Sequence, residues 1–279
     1  MKNQPVLWLI AICMLALPAA ADAYVLKGPQ LLQQMVEHGS TVGSLVVEQR
    51  IRIPTDSNPE NPSEIPQTLR YQFPGRFRSD IETDSLRRIH LVSGDATLTV
   101  VDGVLRREGV GAFDRYKDLL LYRSRARLEK ILTEAGVDVG VTSLGRSDGR
   151  VVYVIGAVYP DASLPQVWID KELFRPLRWL QGAGKGAHGK PLDIRYRRWE
   201  NRDGVWYPMQ ITFYREGHPV RELMVDRVVA DVAFQPDVFD LAHVRKTAVQ
   251  SSPRTLELAK DSTGEVEEII EEFRKMYRK

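Results

Sequence analysis

The feature that most constrains the fold is a succession of about a dozen short segments in which apolar and polar residues alternate. In residues 44–53, for example, Leu45 and Val47 share one side, and charged residues occupy the other. Alternation with a period of two is typical of a strand that buries one face. Turn residues such as Asp102 and Gly103 separate the segments, because glycine accepts a positive φ. The pattern therefore predicts antiparallel strands joined by hairpins.

Only a few segments have helical character, and they do not alternate with the strands. Residues 30–37 form a short amphipathic helix pattern, residues 113–135 combine helix formers with an apolar stripe, and residues 236–241 predict a helical turn. Parallel α/β folds need a helix between successive strands, so this sequence argues against them. We predict a mainly β (α+β) protein with a large curved antiparallel sheet or open barrel, covered by helices.

The N-terminal residues have the pattern of a secretory signal peptide. Lys2 supplies a basic start, residues 6–17 form an apolar run too short for a stable membrane-spanning helix, and Ala23 ends an A-x-A cleavage sequence. We predict cleavage of residues 1–23 and export to the periplasm; an uncleaved membrane anchor is the alternative. The only cysteine, Cys13, lies in the apolar run, so the mature chain would have no thiol chemistry.

The remaining chain divides into three parts by its composition. Residues 24–241 contain the strand patterns and predict a single domain. Residues 242–263 are polar and predict a tether, whereas residues 264–279 have the spacing of an amphipathic helix. This last helix either docks on its own domain or offers a contact surface to a protein partner or to a membrane surface.

Charge excludes one class of partner. Lys and Arg total 39 and Asp and Glu total 37, which gives a net charge of +2, too small for a nucleic-acid-binding surface. The glycine-rich residues 182–190 lack the Ser or Thr of a phosphate loop and precede Pro191, so they predict a flexible hairpin loop. Nucleic acid and nucleotide are therefore not expected ligands.

No pattern indicates a catalytic centre. The five histidines lack metal-ligand spacing, and no nucleophile motif is present. Asp80, Glu82 and Asp84 share one face of a strand, which is either a cation site or a solvated outer face. We predict no catalytic residue, no metal and no cofactor; a hydrolase whose site is assembled only in space is a further alternative.

Large apolar residues lie at alternate positions on several strands, so one face of the sheet is apolar. Such a face is either ordinary core or, in a large curved sheet that short helices cannot fill, the wall of a ligand cavity. A register error of one residue would invert the assignment for a given strand. The cavity residues predicted in this way are Leu45, Val47, Ile51, Leu69, Tyr71, Phe73, Phe77, Leu98, Val100, Ile194, Tyr196, Tyr207, Met209, Ile211 and Phe213.

Several segments carry a family resemblance in their order and spacing. Residues 71–78, 91–98 and 232–239 resemble segments of the LolA-like superfamily of periplasmic lipoprotein carriers. Residues 164–178 and 204–208 are similar to the broader set of outer-membrane lipoprotein-sorting proteins. The resemblance implies an incomplete β-barrel whose concave hydrophobic face is covered by helices and receives acyl chains. It also implies a carrier rather than an enzyme.

The implied partners are a lipid or acylated lipoprotein as cargo, an inner-membrane transporter and an outer-membrane acceptor. In the lipoprotein carrier an arginine directly before the proline helps govern release, but Phe73 occupies that position here. Free lipid or glycolipid is therefore an equal candidate for cargo. Arg76 and Arg78 are the predicted headgroup contacts at the rim, and a solvated strand face is the alternative role for either one. A lipid-responsive sensor that binds an anti-sigma factor is the alternative function on this fold.

Overall fold

A computed structural model describes residues 25–39, 41–54, 63–106, 112–182 and 190–250, with side chains up to Ala248 in the last range. Within these ranges 13 strands form one antiparallel sheet. The predicted signal peptide, the predicted helix at residues 264–279 and residues 251–263 of the predicted tether lie outside the described residues.

The sheet has two halves, which correspond to the two halves of the chain. The strands of the first half are β1 (Ser44–Ile53), β2 (Ser63–Gln72), β3 (Arg76–Glu82), β4 (Arg87–Ser93), β5 (Ala96–Val101) and β6 (Val104–Arg106). Those of the second half are β7 (Thr142–Ser147), β8 (Arg150–Ile155), β9 (Gln166–Asp170), β10 (Pro176–Gln181), β11 (Leu192–Arg202), β12 (Val205–Arg215) and β13 (His218–Ala230).

The helices belong to three separate segments of the chain. They are α1 (Gly28–Glu37), the 3₁₀ helix η1 (Ala112–Lys117), α2 (Asp118–Leu121), α3 (Arg125–Glu134), the 3₁₀ helix η2 (Pro236–Phe239) and α4 (Leu241–Gln250). The predicted helical region at residues 113–135 is thus divided into three pieces. The last piece begins where the Ser124 hydroxyl accepts a hydrogen bond from the backbone N–H of Arg127.

The strand order explains where the helices lie. The order is β6-β5-β4-β3-β2-β1-β13-β12-β11-β10-β9-β8-β7, so the chain reaches one edge at β6 and resumes at the opposite edge with β7. The segment between them, which contains η1, α2 and α3, must cross the whole sheet. It crosses the apolar face, which we name the inner face, and buries Phe113, Leu121, Leu128 and Leu132 against it.

This architecture confirms the predicted fold class, a mainly β protein with a large curved antiparallel sheet that does not close into a barrel. The two halves meet where β1 pairs with β13, from Leu45 opposite Ala230 to Arg52 opposite Glu222. Leu31 and Leu32 of α1 are fully buried in the inner core. The same face of the sheet therefore carries the whole main core.

The opposite, outer face is also covered at one place. A second apolar cluster joins Leu91, Leu98 and Val100 to Phe239, Val244 and Ala248. The placement of Leu98 and Val100 in the inner cavity was therefore wrong. On β5 the inner face carries Thr99, which contacts the inner-face residue His90, and the more apolar side of the strand faces η2 and α4 instead.

The same cluster corrects one boundary. Residues 242–263 were expected to form a polar tether, but residues 242–250 belong to the helix α4. Val244 and Ala248 are one turn apart, and both are buried against the outer face. The segment has few apolar residues, so its sequence alone does not indicate a buried helix. The helical spacing of these residues matters because they pack on the apolar outer surface of β4 and β5.

Candidate functional site

A pocket opens at one end of the inner face, beside the C-terminal end of α1. Its volume is about 680 Å³, including the part that is open to solvent. Its walls come from Met35 of α1, from the junction of α2 and α3, from the strand residues Tyr71 and Tyr207, and from the turn between β9 and β10. A concave pocket with aromatic walls and a few polar groups is typical of small-molecule sites.

The inner wall of the pocket is aromatic and uncharged. The hydroxyl groups of Tyr71 and Tyr207 are hydrogen-bonded to each other at 2.9 Å. Burial raises the pKa of both phenols, so both remain protonated at neutral pH. The rings of Phe73 and Phe77 pack against Tyr71, with centroids at 5.8 Å and 4.9 Å. This wall can bind apolar groups, but it cannot supply a charge.

A partly buried cation, Arg123, lies beside this wall. Its guanidinium carbon is 3.3 Å from the centroid of the Phe73 ring, and its Nη1 donates a hydrogen bond of 2.7 Å to the Val42 carbonyl. Burial lowers the pKa of Arg123 to about 10, which leaves the group charged at neutral pH. Arg123 therefore keeps its charge in a partly desolvated position.

A second arginine lies in the turn between β9 and β10. The guanidinium carbon of Arg175 is 3.5 Å from the ring centroid of Trp206, and its Nε is buried without a hydrogen-bond partner. Burial lowers the pKa of Arg175, and the charge of Asp170 opposes that shift. The Asp170 Oδ1 accepts hydrogen bonds from the backbone N–H groups of Glu172 and Leu173, so this carboxylate stabilises the turn.

The charges around the pocket have one sign. The charged side chains in its wall are Arg123 and Arg175, and no Asp or Glu of the described ranges lies among the lining residues. The His38 ring packs at 4.8 Å from Phe174, and its Nδ1 is 2.9 Å from the Gln34 carbonyl oxygen. The site is a cavity with apolar walls and two positively charged side chains among its lining residues.

The predicted cavity residues divide into three groups. The first group, Leu45, Tyr71, Phe73 and Tyr207, lines the pocket. A second group lies on the inner face but forms filled core, and its members are Val47, Ile51, Leu69, Phe77, Ile194, Tyr196, Met209, Ile211 and Phe213. The third group is Leu98 and Val100, on the outer face as described above. Whether the first group binds lipid stays a prediction.

The residues of the second group are covered by the crossing segment. The ring of Phe113 packs on Phe213 with centroids 5.5 Å apart, and the Tyr196 hydroxyl donates to the Tyr116 carbonyl at 2.9 Å. Arg88 of β4 forms a buried ion pair of 2.6 Å with Asp114. Bulky and charged side chains thus occupy the volume that the sequence pattern assigned to a ligand.

The predicted headgroup contacts Arg76 and Arg78 are not at the pocket. Both side chains alternate with Phe77, which is buried on the inner face. Arg78 pairs with Asp80 and donates to the Val238 carbonyl, while Arg76 donates to Gln72. Because alternation sends neighbouring side chains to opposite faces, both arginines lie on the face away from Phe77, which corrects their assignment to the rim of the cavity.

Sequence reasoning missed the two arginines that do line the pocket. Arg123 and Arg175 lie in connecting segments, where no period relates a side chain to a face of the sheet. The only local signal is that Arg175 follows Phe174 and precedes Pro176, which is typical of a turn. Their convergence depends on how the two connections fold over the sheet.

The described residues can also be searched for a metal site and for a membrane-spanning helix. In the described ranges, no group of three or more His, Cys, Asp or Glu could hold a metal ion. Asp80, one of three carboxylates weighed as a cation site, is instead paired with Arg70 and Arg78. Among the helices that the structure describes, none combines the length and apolar character needed to cross a membrane.

Comparison with known proteins gives structural likeness without sequence likeness. No family model matches the sequence, and no curated protein matches it. A LolA superfamily protein from Nitrosomonas europaea superposes with a TM-score of 0.55 at 13% identity, over 78% of this chain and 100% of its own. An outer membrane lipoprotein-sorting protein domain from Vibrio parahaemolyticus gives 0.53 at 13% identity, over 78% and 98%.

A DUF1329 family protein from Desulfovibrio piger gives a TM-score of 0.53 at 17% identity, over 78% of this chain and 97% of its own. At these identities the likeness concerns the backbone alone. It agrees with the resemblance seen in the short sequence segments, and it extends over almost the full length of each neighbour. The chain therefore has a LolA-like fold.

Proposed function

We propose that this protein is a periplasmic carrier that binds an acyl chain of a lipid or lipoprotein in the pocket and carries it toward the outer membrane. The observation that carries the proposal is the open pocket of about 680 Å³ at one end of the inner face. Two structural neighbours are described as a LolA superfamily protein and as a lipoprotein-sorting domain, which supports the same role.

The physical task of such a carrier is to keep methylene groups out of water. Each buried methylene contributes about 0.8 kcal/mol, so a chain of ~16 carbons resists transfer into water by about 12 kcal/mol. The aromatic wall at Tyr71, Phe73 and Tyr207 offers apolar surface without an ionised group. Binding and release of this kind require no nucleophile, and we propose no catalytic activity.

The extent of the filled core limits the proposed cargo site. Because Phe113 and Tyr116 occupy the inner face over Phe213, the chain would lie at the pocket end and not along the whole sheet. The exposed edge of the pocket includes Trp206, whose side chain is 39% exposed. We propose that cargo enters beside Trp206.

The first test is native mass spectrometry of the protein purified from periplasm, followed by lipid extraction. We expect a stoichiometric acylated species, and its chemistry distinguishes lipoprotein from free lipid. Displacement of a fluorescent fatty acid provides the affinity. An empty protein that also refuses the fatty acid would overturn the proposal.

A matched pair of variants locates the site. Leu120→Trp places a large ring in the pocket wall and should abolish fatty-acid binding. Leu177→Trp makes the same change at a partly buried leucine outside the pocket, beside Trp168, and should leave binding unchanged. Equal binding by both variants would place the acyl chain elsewhere.

The alternative of a lipid-responsive sensor depends on residues 264–279, which lie outside the described residues. A variant that ends at Gln250 separates the two functions. A carrier should bind fatty acid with unchanged affinity after this truncation, whereas a sensor should lose its protein partner.

A further inference from the structure

We infer that the pocket selects an anionic single-chain amphiphile, whose carboxylate or phosphate monoester group is held by Arg123 and Arg175 while its chain packs on Tyr71 and Tyr207. This inference rests on the proposed function and specifies its cargo. It concerns the charge of the headgroup, which the acyl-chain proposal leaves open.

The first argument is the sign of the local charge. The whole chain is almost balanced, with 39 basic and 37 acidic residues. In the described part, the pocket wall nevertheless contains two charged side chains, Arg123 and Arg175, and no carboxylate. A cavity with low-dielectric walls and charge of one sign attracts ligands of the opposite sign.

The second argument is that these two arginines differ from others in the protein that are held by a carboxylate. Arg50 pairs with Asp226, Arg88 with Asp114 and Arg178 with Asp193, at 2.6 to 2.8 Å. Among the described residues, no carboxylate lies within ion-pair distance of Arg123 or Arg175. Partly buried cations are normally paired, because desolvation of an uncompensated charge costs free energy. A bound anion would supply the missing partner.

The third argument is the orientation of the guanidinium groups. The guanidinium carbon of Arg123 lies over Phe73 at 3.3 Å, and that of Arg175 lies over Trp206 at 3.5 Å. Contact through the face of a guanidinium leaves the N–H groups along its edge available. Arg123 uses one of its five N–H groups on the Val42 carbonyl, and because the Nε of Arg175 is buried, the Nη groups of Arg175 would contact the anion.

A planar fork of N–H groups matches a carboxylate or a phosphate in a bidentate arrangement. The aromatic contacts reduce the freedom that each side chain must lose on binding such an anion. The rings that support the arginines continue into the wall for the chain, since Phe73 stacks on Tyr71 at 5.8 Å. Headgroup and chain contacts therefore belong to one continuous surface.

The test compares amphiphiles with the same saturated chain of ~16 carbons and different headgroups. Palmitate and palmitoyl lysophosphatidate carry the anion, monopalmitoylglycerol is neutral, and palmitoyl lysophosphatidylcholine is zwitterionic. Affinities are measured by displacement of one fluorescent fatty acid at low and high salt. We expect the anionic compounds to bind at least about tenfold more tightly than the neutral one, with an advantage that decreases at high salt. The two anionic arms distinguish a carboxylate from a phosphate ligand.

The variants are Arg123→Gln and Arg175→Gln, and Arg76→Gln is the control because its exposed side chain lies on the outer face. Each pocket variant should weaken anionic binding about tenfold and leave the affinity for monopalmitoylglycerol unchanged. Arg123→Lys and Arg175→Lys should each bind the anionic ligands more tightly than the corresponding Gln variant, because lysine restores the charge but not the planar fork of N–H groups. Thermal unfolding verifies that each variant is folded.

The outcomes separate the two levels of the proposal. If the wild-type protein binds neutral and anionic compounds equally, headgroup selection is overturned and the acyl carrier remains. If no compound of the series binds, the proposed function fails and this inference fails with it. If the pocket variants lose the neutral ligand as strongly as the anionic ones, the arginines only shape the pocket, and the inference is overturned.

Discussion

The two ends of the space beneath the sheet contrast with each other. At the filled end, Phe113, Tyr116 and Phe213 pack tightly and Arg88 is paired with Asp114. At the pocket end, the equivalent space is open and its cations have no acidic partner in the described ranges. The same crossing segment covers both ends. Sheet curvature therefore creates the volume, and the side chains of the crossing segment decide which part of it remains for a ligand.

The backbone of the crossing segment explains the difference. η1 and α2 are continuous over the filled end, so successive large side chains point onto the sheet. At Tyr122 the backbone becomes extended, with φ −85° and ψ 124°, and it remains extended at Ser124. This break between two helices lies beside the pocket, where Tyr122 and Arg123 line the wall.

The charged groups also have different roles at the two ends. Burial raises the pKa of Asp114, but the charges of Arg88, Lys117 and Arg221 outweigh it and hold the pKa at about 2. This carboxylate is therefore ionised and stabilises the closed core. Arg123 and Arg175 contribute no comparable internal pair, which makes them available to a ligand.

The largest expected effect comes from breaking the ion pair at the filled end. Asp114→Asn leaves the Arg88 charge buried without its carboxylate, and Arg88 is 1% exposed. We expect the free energy of unfolding to fall by about 3–5 kcal/mol, measured by urea denaturation. The double variant Arg88→Met with Asp114→Leu should recover most of the loss. A loss below about 1 kcal/mol for Asp114→Asn would contradict the structural role of the pair.

The next effect distinguishes filled core from pocket wall. Ile211→Ala removes a fully buried side chain, so the free energy of unfolding should fall by about 3 kcal/mol while fatty-acid affinity stays unchanged. Leu120→Ala, in the pocket wall, should have the opposite profile, with a smaller loss of stability and weaker binding. Weaker binding by Ile211→Ala would extend the cargo site into the filled end.

The filled end should also make the stability of the folded protein depend on pH in the acid range. Burial lowers the pKa of His90 from 6.5 to about 3; Asp114 opposes this shift, and Lys117 and Arg88 add to it. The folded protein keeps His90 neutral, whereas the unfolded chain takes up a proton below about pH 6.5. Stability should therefore decrease as the pH falls from 6.5 toward 3.

Between neutral pH and a pH about two units below the unfolded pKa of His90, the expected loss from this group is about 2–3 kcal/mol. Urea denaturation at the two pH values measures the loss. His90→Gln should remove most of this pH dependence, whereas the exposed His38→Gln should retain it. An unchanged pH profile for His90→Gln would assign the acid sensitivity to another group.

The smallest effect concerns the outer face. Val244→Ala removes apolar contacts from a side chain that is 2% exposed, so unfolding should become easier by about 1–2 kcal/mol, measured by urea denaturation. Fatty-acid affinity should remain unchanged, because α4 lies on the opposite face from the pocket. A change in affinity without a change in stability would show that α4 communicates with the pocket.

Much of the fold could be predicted because it depends on local periodicity. Alternation placed Leu69 and Tyr71 on one face, as it did Ile194 and Tyr196, and all four are buried on the inner face. On β4 the alternation does not show which residues face the cavity, because the neighbours Leu91 and Val92 are both apolar. They are buried in different clusters, on opposite faces of the sheet. A strand that is buried on both faces carries too little contrast for its pattern to identify the cavity.

The sequence by itself determined an antiparallel sheet, its main apolar face and the absence of alternating helices, because these follow from residues close together in the chain. Only the tertiary structure decided that the crossing segment fills one end of the sheet and leaves a pocket at the other. It also brought Arg123 and Arg175 to one cavity, and it placed Arg78 on the outer face with Asp80. Such contacts join connections distant in sequence, and no local period encodes the direction in which a connection crosses a sheet.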